Sequence, residues 1–459
     1  MGARFVNVDR STPMLLPPSI QDWLDPNDMV HFVIDAVESM ELPQLVVNHR
    51  GTGTPQYPPQ MMLALLLYCY ANGIMSSRKI ETATWHLVPV RYLTADTHPD
   101  HDTINSFRKN NDAAIREAFR QLLLLARQMK LLKVGTVSVD GTHIKANASK
   151  YKNIRYDRID ELTRQIDTDI DTLMAEAHAA DAEDDEDGQR IPENIARRDV
   201  LRAKIQQAKA AIEEQARENE QRRQEREDHD RDDENPPKPR KKRTNPNDAK
   251  PEDRNQINLI DPDSHLMRKS RRDGWQQAYN AQAVVDAEGS QLILGAYVAH
   301  STVDSWELEP ALETVSPEVG SPTTVLADAG YARKKLITRF DSDPDAPELY
   351  LAITGDDHDL RRYDYRPPKR NTKVVKDPVL IAMREKVRST NGRKIYQKRK
   401  QSVEPVFGII KSVLGFDQFL RRGFKAVNAE WHLVCTAYNV KRMWRLSTAD
   451  PLPTGSAGG

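Results

Sequence analysis

The stretch Val134-Gly135-Thr136-Val137-Ser138-Val139-Asp140 decides the fold class, because apolar and polar residues alternate along it. Alternation with a period of two, rich in β-branched residues, is typical of a β-strand. Gly141 follows directly and predicts that the strand ends there, with Asp140 as its last residue. Residues 15–130 carry apolar residues at helical spacing instead, so we expect an all-α N-terminal domain over 1–132.

Further strand-like runs follow within 133–446, the part of the chain that we assign to an α/β domain. The runs cover 278–286, 292–300, 323–328 and 348–353. The first two flank Glu288-Gly289, and alternating runs separated by a short glycine-containing turn predict a β-hairpin. Helical spacing is found over 306–315, 391–413 and 430–446. A sheet flanked by helices is therefore expected.

Three features predict helices in the N-terminal domain. Residues 61–70 are almost wholly apolar and follow Pro58-Pro59, and proline favours the first turn of a helix. Asp102-Thr103 precede Ile104, where they offer an N-cap to a second helix. Residues 113–132 repeat apolar side chains at intervals of three and four, which predicts a third helix.

A block of different composition, 155–254, interrupts the α/β domain. It is polar, rich in Glu, Arg, Gln and Ala, and carries two apolar stripes at helical spacing. Two such stripes predict a charged helical hairpin, with 180–191 as its loop. The stretch 236–254 is basic and rich in proline, which favours disorder, and we expect the C-terminal tail 447–459 to be disordered as well.

Charge is distributed unevenly along the 459 residues, although the net charge is only −1. The segment 160–235 is rich in Asp and Glu, whereas 361–425 is strongly basic. Basic segments bind phosphate backbones through counterion release, so 361–425 is a candidate contact with nucleic acid. A solvated helix face is the alternative interpretation of this segment.

Composition argues against several classes of protein. The most apolar stretch, 61–70, is about half as long as a membrane helix needs to be, so no membrane partner is expected. Residues 1–10 lack the apolar core of a secretion signal. Cys69 and Cys435 lie in apolar helical patterns and are expected to be buried reduced thiols, which fits the cytoplasm. A glycine-rich phosphate loop of the P-loop type is absent from the sequence, so nothing suggests an ATPase.

Three carboxylates occur in an order that suggests one chemical site. Asp140 and Asp328 each end a predicted strand, and Glu404 lies in a predicted helix. Adjacent strand ends share a crevice, and a helix packed beside the sheet can add a third carboxylate. Oxygen ligands of this kind suit Mg²⁺ or Mn²⁺, and two such ions close together promote an in-line phosphoryl displacement.

Each carboxylate also has a plainer interpretation. An aspartate after a strand is often a turn or helix-cap residue, and a helical glutamate usually faces solvent. Glu404 lies within the apolar stretch 403–411, however, where a charge needs a partner or a metal. His300 and His432 are isolated, and no His or Cys set in the sequence has zinc spacing, so oxygen ligands are the better candidates.

Several segments resemble bacterial insertion-sequence transposases of the DDE type, whose catalytic domain is ribonuclease H-like. They are Val137-Ser-Val-Asp140-Gly-Thr142, Gly274-Trp-Gln-Gln-Ala-Tyr279-Asn280-Ala-Gln282, Val325-Leu-Ala-Asp328-Ala-Gly-Tyr331 and Glu404-Pro-Val-Phe-Gly408 with Lys411. The helical N-terminal region, with Ser77-Arg78-Lys79-Ile80-Glu81 and Asp102-Thr103-Ile-Asn-Ser-Phe107-Arg108, is similar to the domain that commonly precedes this catalytic domain. The resemblance covers most of 15–445 outside the charged block. It implies an α/β fold with a ribonuclease H-like mixed sheet flanked by helices.

The resemblance implies that Asp140, Asp328 and Glu404 are catalytic and hold two Mg²⁺ ions, or Mn²⁺ in their place. Around the third acid, the family's signature is Tyr-x2-Arg-x3-Glu-x6-Lys, and Glu404 with Lys411 fits it. Tyr396 and Arg399 match the first two positions only if one extra residue precedes Glu404.

Strict spacing would select Gln397 and Lys400 instead of Tyr396 and Arg399. One residue turns a helix by about 100°, so only one of Arg399 and Lys400 can occupy the face of the site. The resemblance implies DNA-binding roles for four residues: Lys411, Arg399, Tyr396 and Lys400.

The function implied by the resemblance is cleavage of transposon-end DNA and its joining to target DNA. The basic segment would hold the DNA backbone, the N-terminal helices would recognise the end, and a homodimer or larger assembly would form on DNA. The expected location is the cytoplasm, in association with the nucleoid.

Two alternatives stay open. A nuclease of the same fold would cut DNA without joining it, and the sequence separates this class poorly from a transposase. A non-catalytic DNA-binding protein derived from such an enzyme predicts the loss of at least one acid, and all three are present.

Overall fold

The computed structural model describes residues 19–47, 55–183, 191–229, 245–268, 273–353 and 375–448, with side chains described except in 177–183 and 191–192. The described residues up to Leu125 and from Thr436 form one compact unit, and those from Ala126 to Cys435 form another. Four predicted segments lie partly outside the described residues. They are the loop 180–191, the basic tail 236–254, the basic segment 361–425 and the C-terminal tail 447–459.

The described chain before residue 129 is helical, as its apolar spacing predicts. Its helices are α1 (Met29–Glu38), α2 (Pro59–Ala71), α3 (Ser77–His86), α4 (Val88–Leu93), α5 (His101–Asn110) and α6 (Asp112–Gln128). α2 begins with proline in its first turn, as expected, and its residues from Met62 to Ala71 are all buried. A helix that is apolar on every face forms the core of its unit.

The N-cap of α5 differs from the prediction. Asp100, rather than Asp102 or Thr103, caps this helix, and its Oδ1 accepts a hydrogen bond from the Thr103 N–H at 2.6 Å. The helix therefore begins at His101, three residues before Ile104, and Asp102 lies in its first turn, where a negative charge is favourable.

A six-stranded mixed sheet forms the centre of the second unit. The strands of this unit are β1 (Thr136–Lys145), β2 (Asn153–Arg155), β3 (Gln256–Asn258), β4 (His265–Met267), β5 (Gln276–Asp286), β6 (Ile293–Ala299), β7 (Thr324–Ala327) and β8 (Glu348–Leu351). The sheet has the order β4-β5-β1-β7-β8, with β6 also paired to β5. β5 and β6 form the predicted antiparallel hairpin, whereas β1, β7 and β8 run parallel. The predicted fold class is confirmed, and the sheet is consistent with a ribonuclease H-like domain.

The prediction that β1 ends at Gly141 was wrong. Its ladder with β5 runs from Val137 to Lys145 and pairs Gly141 with Gln282. Residue 141 is a glycine because neighbouring side chains leave no room for a Cβ atom, and not because the chain turns there. A Cβ atom at residue 141 would lie 2.7 Å from Asp304 Oδ1 and 2.8 Å from an Asn280 side-chain oxygen. Glycine in a strand often marks such a close approach.

The inserted block is a helical hairpin closed at its base by a short ladder. α7 (Tyr156–Glu183) and α8 (Ile191–His229) lie between β2 and β3, which pair with each other antiparallel. The block has an apolar core of its own, made of Ile154, Ile159, Ile166, Ile170, Ile205, Ala208, Ile212 and Ile257. Within the stretch predicted to be disordered, Pro246–Asp248 form a short 3-10 helix.

The remaining helices follow β6. They are α9 (Leu308–Glu313), α10 (Lys334–Ser342), α11 (Pro378–Arg388), α12 (Thr390–Tyr396), α13 (Lys398–Gly408) and α14 (Phe424–Thr448). The single helix predicted over 391–413 is divided, because a turn at Gln397 separates α12 from α13 and a π-helical segment, Ile409–Val413, follows α13.

Pro405 lies inside α13, where it cannot donate a hydrogen bond to the carbonyl of Gln401. That carbonyl accepts a hydrogen bond from Gln291 Nε2 at 2.6 Å. A side chain beside the β5–β6 turn thus replaces the missing helical hydrogen bond and ties α13 to the hairpin.

The composition predicts that the chain lacks a membrane helix and that its two cysteines are buried thiols. Across the described residues, we find no helix with the length and apolar character needed to span a membrane. Cys69 and Cys435 are both buried and free, as predicted.

Candidate active site

Asp140 and Asp328 lie beside each other on two neighbouring parallel strands. In the register of β1 and β7, Ser138 pairs with Leu326, and each aspartate follows two residues later. Asp140 Oδ1 accepts a hydrogen bond from the Gly141 N–H at 2.9 Å. The shared register places these two acids next to each other, although Asp140 lies inside its strand rather than at its end.

The ionised form of Asp140 is destabilised by the burial of its carboxyl group. Burial raises the pKa of its carboxyl to about 7, although Arg399 opposes this shift, and the charges of Asp328 and Asp304 raise the pKa further. Like charges that raise a pKa share a poorly solvated space. A positive charge brought into that space would be stabilised.

Asp304 is a third aspartate at the same place. Its Oδ1 accepts hydrogen bonds from Asn280 Nδ2 at 2.9 Å and Gln282 Nε2 at 2.8 Å. A Cβ atom at Gly330 would lie 2.9 Å from Asp328 Oδ1 and 3.8 Å from Asp304 Oδ2. Asp304 therefore lies between β1 and the turn after β7, held by two amides of β5.

The amides are themselves oriented by their neighbours. The Tyr331 hydroxyl donates to Gln282 Oε1 at 2.5 Å, which leaves Gln282 Nε2 to donate to Asp304. Asn280 and Gln282 are fully buried, and as residues i and i+2 of β5 they point to the same face of the sheet.

Glu404 reaches the aspartates through Arg399. The two side chains belong to α13, and Arg399 Nη1 donates to Glu404 Oε1 at 3.1 Å while Arg399 Nη2 donates to Asp140 Oδ2 at 3.1 Å. Arg399 is buried, whereas Glu404 is about half exposed, with 49% of its side chain accessible. The guanidinium group thus lies between the first and third predicted acids and neutralises part of their charge.

The chemistry of these residues fits a hard divalent cation, because all the donors are carboxylate oxygens and they share a space with too little positive charge. In the described part of the chain, however, no three His, Cys, Asp or Glu side chains converge closely enough to form a metal site. In this structure the guanidinium group of Arg399 lies between the carboxylates of Asp140 and Glu404.

The structure distinguishes Arg399 from Lys400, as helix geometry requires. Arg399 faces the acids, and Lys400 is exposed. Tyr396 is buried, and its hydroxyl donates to the Ala327 carbonyl of β7 at 3.1 Å. Lys411 Nζ donates to Thr142 Oγ1 at 2.6 Å and to a backbone carbonyl of β1. In this structure Tyr396 and Lys411 therefore fasten the helical segments to the sheet.

The sequence pattern did not assign Asn280, Gln282 or Asp304 to the site. A signal was present, because two amides at alternate positions interrupt the otherwise apolar stretch 278–285, and buried polar side chains need a partner. Asp304 carries no comparable local signal, since it lies in a short 3-10 turn, Asp304–Trp306, whose contacts depend on the fold.

Comparison with known families gives two matches. A family model described as a transposase DDE domain matches residues 365–444, which include Arg399, Glu404 and Lys411. A second, described as a transposase domain (DUF772), matches residues 18–110. Asp140 and Asp328 lie outside both matched ranges. No match was found among curated proteins or among solved structures.

The mixed sheet, the helical N-terminal region and these two matches are consistent with a transposase that has a ribonuclease H-like domain. The matches support an insertion-sequence DDE transposase.

Proposed function

We propose that this transposase cuts DNA at transposon ends and joins them to target DNA, with Asp140, Asp328 and Glu404 as ligands of two divalent metal ions. One observation carries the proposal most directly: Asp140 and Asp328 meet on neighbouring strands, and Arg399 links Asp140 to Glu404. The sequence predicted these three acids as one set.

Bound divalent ions, Mg²⁺ or Mn²⁺, supply activation of an attacking oxygen and stabilisation of a leaving oxygen. The residues of the chain do the positioning. The Gly141 and Gly330 N–H groups orient the two aspartates, and α13 carries Glu404 beside them. Arg399 holds Asp140 and Glu404 towards each other and neutralises part of their charge.

Asp304 supports the same site in this proposal. Because two amides fix one of its oxygens, its carboxylate is held close to Asp140 and Asp328. This arrangement adds negative charge to the space into which a metal ion would enter, and Asp304 is therefore a positioning residue of the site.

The test uses a labelled duplex that carries the terminal repeats of the element, with Mg²⁺ present. Asp140→Ala, Asp328→Ala and Glu404→Ala should each lower the cleavage rate on the order of 10³-fold or more, equivalent to about 4 kcal/mol of activation free energy. Asp417→Ala is the control, because Asp417 is an exposed carboxylate whose partner is Lys145 at 2.6 Å. DNA binding should survive in all four variants.

Metal ligation is tested separately by Glu404→Cys. A thiolate is a poor ligand for Mg²⁺ and a better one for softer Mn²⁺, so cleavage by this variant should be lost with Mg²⁺ and partly recovered with Mn²⁺. Strand transfer is tested with a pre-cut end and a supercoiled target. Cleavage without joining would identify a nuclease. If an alanine variant cleaves at the wild-type rate, the substituted residue is not a metal ligand.

A further inference from the structure

A basic cavity lies where the inserted hairpin meets the catalytic sheet. Its volume is about 310 Å³, and it is lined by Asn219, Arg222, Arg223, Arg226, Glu227, His300, Ser301 and Trp306. The first five belong to α8, and the last three belong to the segment that follows β6. All of them lie in the same compact unit.

Arginine predominates among the charged residues of the cavity wall. Three arginines and one glutamate line it, a formal charge of +2, and Glu218 and Glu220 pair with two of these arginines from outside the wall. Burial and the charge of Arg222 lower the pKa of His300, which disfavours its charged form.

The three arginines differ in how far they are already neutralised. Arg223 bonds Glu220 and Glu227 at 2.5 and 2.6 Å, and this contact lowers the pKa of Glu220 to about 2. Arg222 pairs only with the exposed Glu218, at 3.1 Å. Arg226 forms no ion pair with any described residue, but its charge, like that of Arg222, opposes the raised pKa of the buried Glu307.

Arg222 and Arg226 are available to an anion and share a helix face, because they are four residues apart. The Arg226 guanidinium lies 5.0 Å from the centre of the Trp306 ring, and that of Arg333 lies 3.5 Å from the same ring. Trp306 therefore fixes where α8 meets the catalytic part of the chain.

The cavity adjoins the acidic centre through one short turn. The 3-10 turn Asp304–Trp306 places Trp306 in the cavity wall and Asp304 against the amides next to Asp140. Asn280 Nδ2 also donates to the carbonyl of Ser301, a second residue of the wall, at 3.3 Å. A DNA strand whose scissile phosphate reaches the carboxylates would pass beside this wall.

We propose that α8 of the inserted hairpin binds the DNA backbone next to the active site, with Arg222 and Arg226 as phosphate ligands. The inference rests on the proposed function for the path of the DNA, but its test does not require cleavage. Guanidinium groups bind phosphate oxygens in two-point contacts, which an exposed ion pair with Glu218 cannot prevent.

The experiment measures binding of the full-length protein to a labelled 40-base-pair duplex of random sequence, in EDTA, from about 50 to 200 mM NaCl. Arg222→Ala with Arg226→Ala should raise the Kd roughly tenfold per arginine near 0.1 M salt. The slope of log K against log salt should become less steep by about 1.8, the value for two phosphate contacts.

The matched control is Arg197→Ala with Arg217→Ala. Arg197 is exposed and Arg217 is partly exposed, and each has a glutamate partner on α8, so the control removes the same charge from the same element. The control should bind as the wild type does. If both double variants lost the same affinity for the duplex, the loss would be explained by net charge alone. That result would overturn the assignment of a binding site to Arg222 and Arg226.

A purely structural role of the two arginines gives a different result. Arg222→Lys with Arg226→Lys retains both charges, so the salt slope should stay within about 0.5 of the wild-type value. If the alanine variant melts earlier but keeps the wild-type slope, the arginines only dock α8 and the proposal fails. An unchanged slope in stable variants, together with cleavage that depends on Asp140, would reject this inference and leave the proposed function standing.

Discussion

Arg399 is the residue on which the geometry of the acids depends. Its guanidinium group is buried and contacts Asp140 and Glu404, yet its Nε has no hydrogen-bond partner among the described residues. Removing one partner of a buried ion pair leaves the other charge without compensation, which costs more than the pair itself contributes.

We therefore predict that Arg399→Ala lowers the free energy of unfolding by about 3 kcal/mol in EDTA, because the Asp140 carboxylate loses its cation. Urea denaturation measures the change. The double variant with Asp140→Asn should recover most of the loss, and Lys400→Ala, at the exposed neighbouring position, should change stability by less than about 0.5 kcal/mol. Additive effects of the Arg399 and Asp140 substitutions would show that the two side chains do not interact.

For individual residues, the sequence predicts that Asp140, Asp328 and Glu404 form one site. It does not decide whether Arg399 or Lys400 faces that site. The local turn at Gln397 sets the rotation of α13 and thereby decides which side chain faces the sheet. Asp304 has no such spacing signal in the sequence, since its partners lie on β5 and are brought close by the fold.

The β5–β6 hairpin depends on one buried carboxylate. Asp286 Oδ2 accepts hydrogen bonds from the Ser290 N–H at 3.0 Å and the Ser290 hydroxyl at 2.6 Å, while Oδ1 has no hydrogen-bond partner among the described residues. Burial raises the pKa of this carboxyl, although the bonds from Ser290 oppose the shift.

We predict that Asp286→Asn stabilises the protein at neutral pH. A raised pKa means that the folded wild type binds more protons than the unfolded chain, so its stability falls as the pH rises from about 4 through the folded pKa. The amide has no such dependence. Unfolding measured from pH 4.5 to 8 should therefore show the variant gaining stability relative to wild type, and a constant difference over this range would contradict the prediction.

Elements with strong local patterns were predicted correctly, whereas their ends depend on contacts between distant residues. Alternation identifies β5, and a strand-like run after the Glu288-Gly289 turn identifies β6. A short apolar run before Asp328 identifies β7, and an apolar run after two prolines identifies α2. β1 extends four residues past its glycine because β5 supplies partners there, up to Lys145↔Ala278. Near the C-terminus, Pro405 does not end α13 because Gln291 satisfies the carbonyl that the proline leaves without a helical donor.

At the scale of the whole molecule, the inserted hairpin is a separate element with an apolar core of its own. Its two ends meet in the β2–β3 ladder, and ion pairs such as Asp169–Arg198, Asp167–Arg202 and Asp160–Lys209 keep its helices in one antiparallel register. The cavity arginines lie near its base, far in sequence from its tip.

We predict that the tip can be removed without loss of DNA binding. Residues 174–194, replaced by a short glycine-rich turn, connect positions that face each other in this register. The free energy of unfolding should change by less than about 1 kcal/mol, because the described residues removed, the end of α7 and the start of α8, contribute nothing to the apolar core of the hairpin and a shorter connection costs little. The Kd for the random duplex should stay within about twofold of wild type, and a tenfold loss would place the DNA contact at the tip instead of at Arg222 and Arg226.

Gly141 has a consequence for the fate of copies of this gene. Glycine is the only residue without a Cβ atom, so every missense change at its codon places an atom against Asn280 and Asp304. No substitution is conservative at such a position. Among copies that accumulate random changes, we therefore expect this codon to be one of the places where a single nucleotide is enough to make an element immobile.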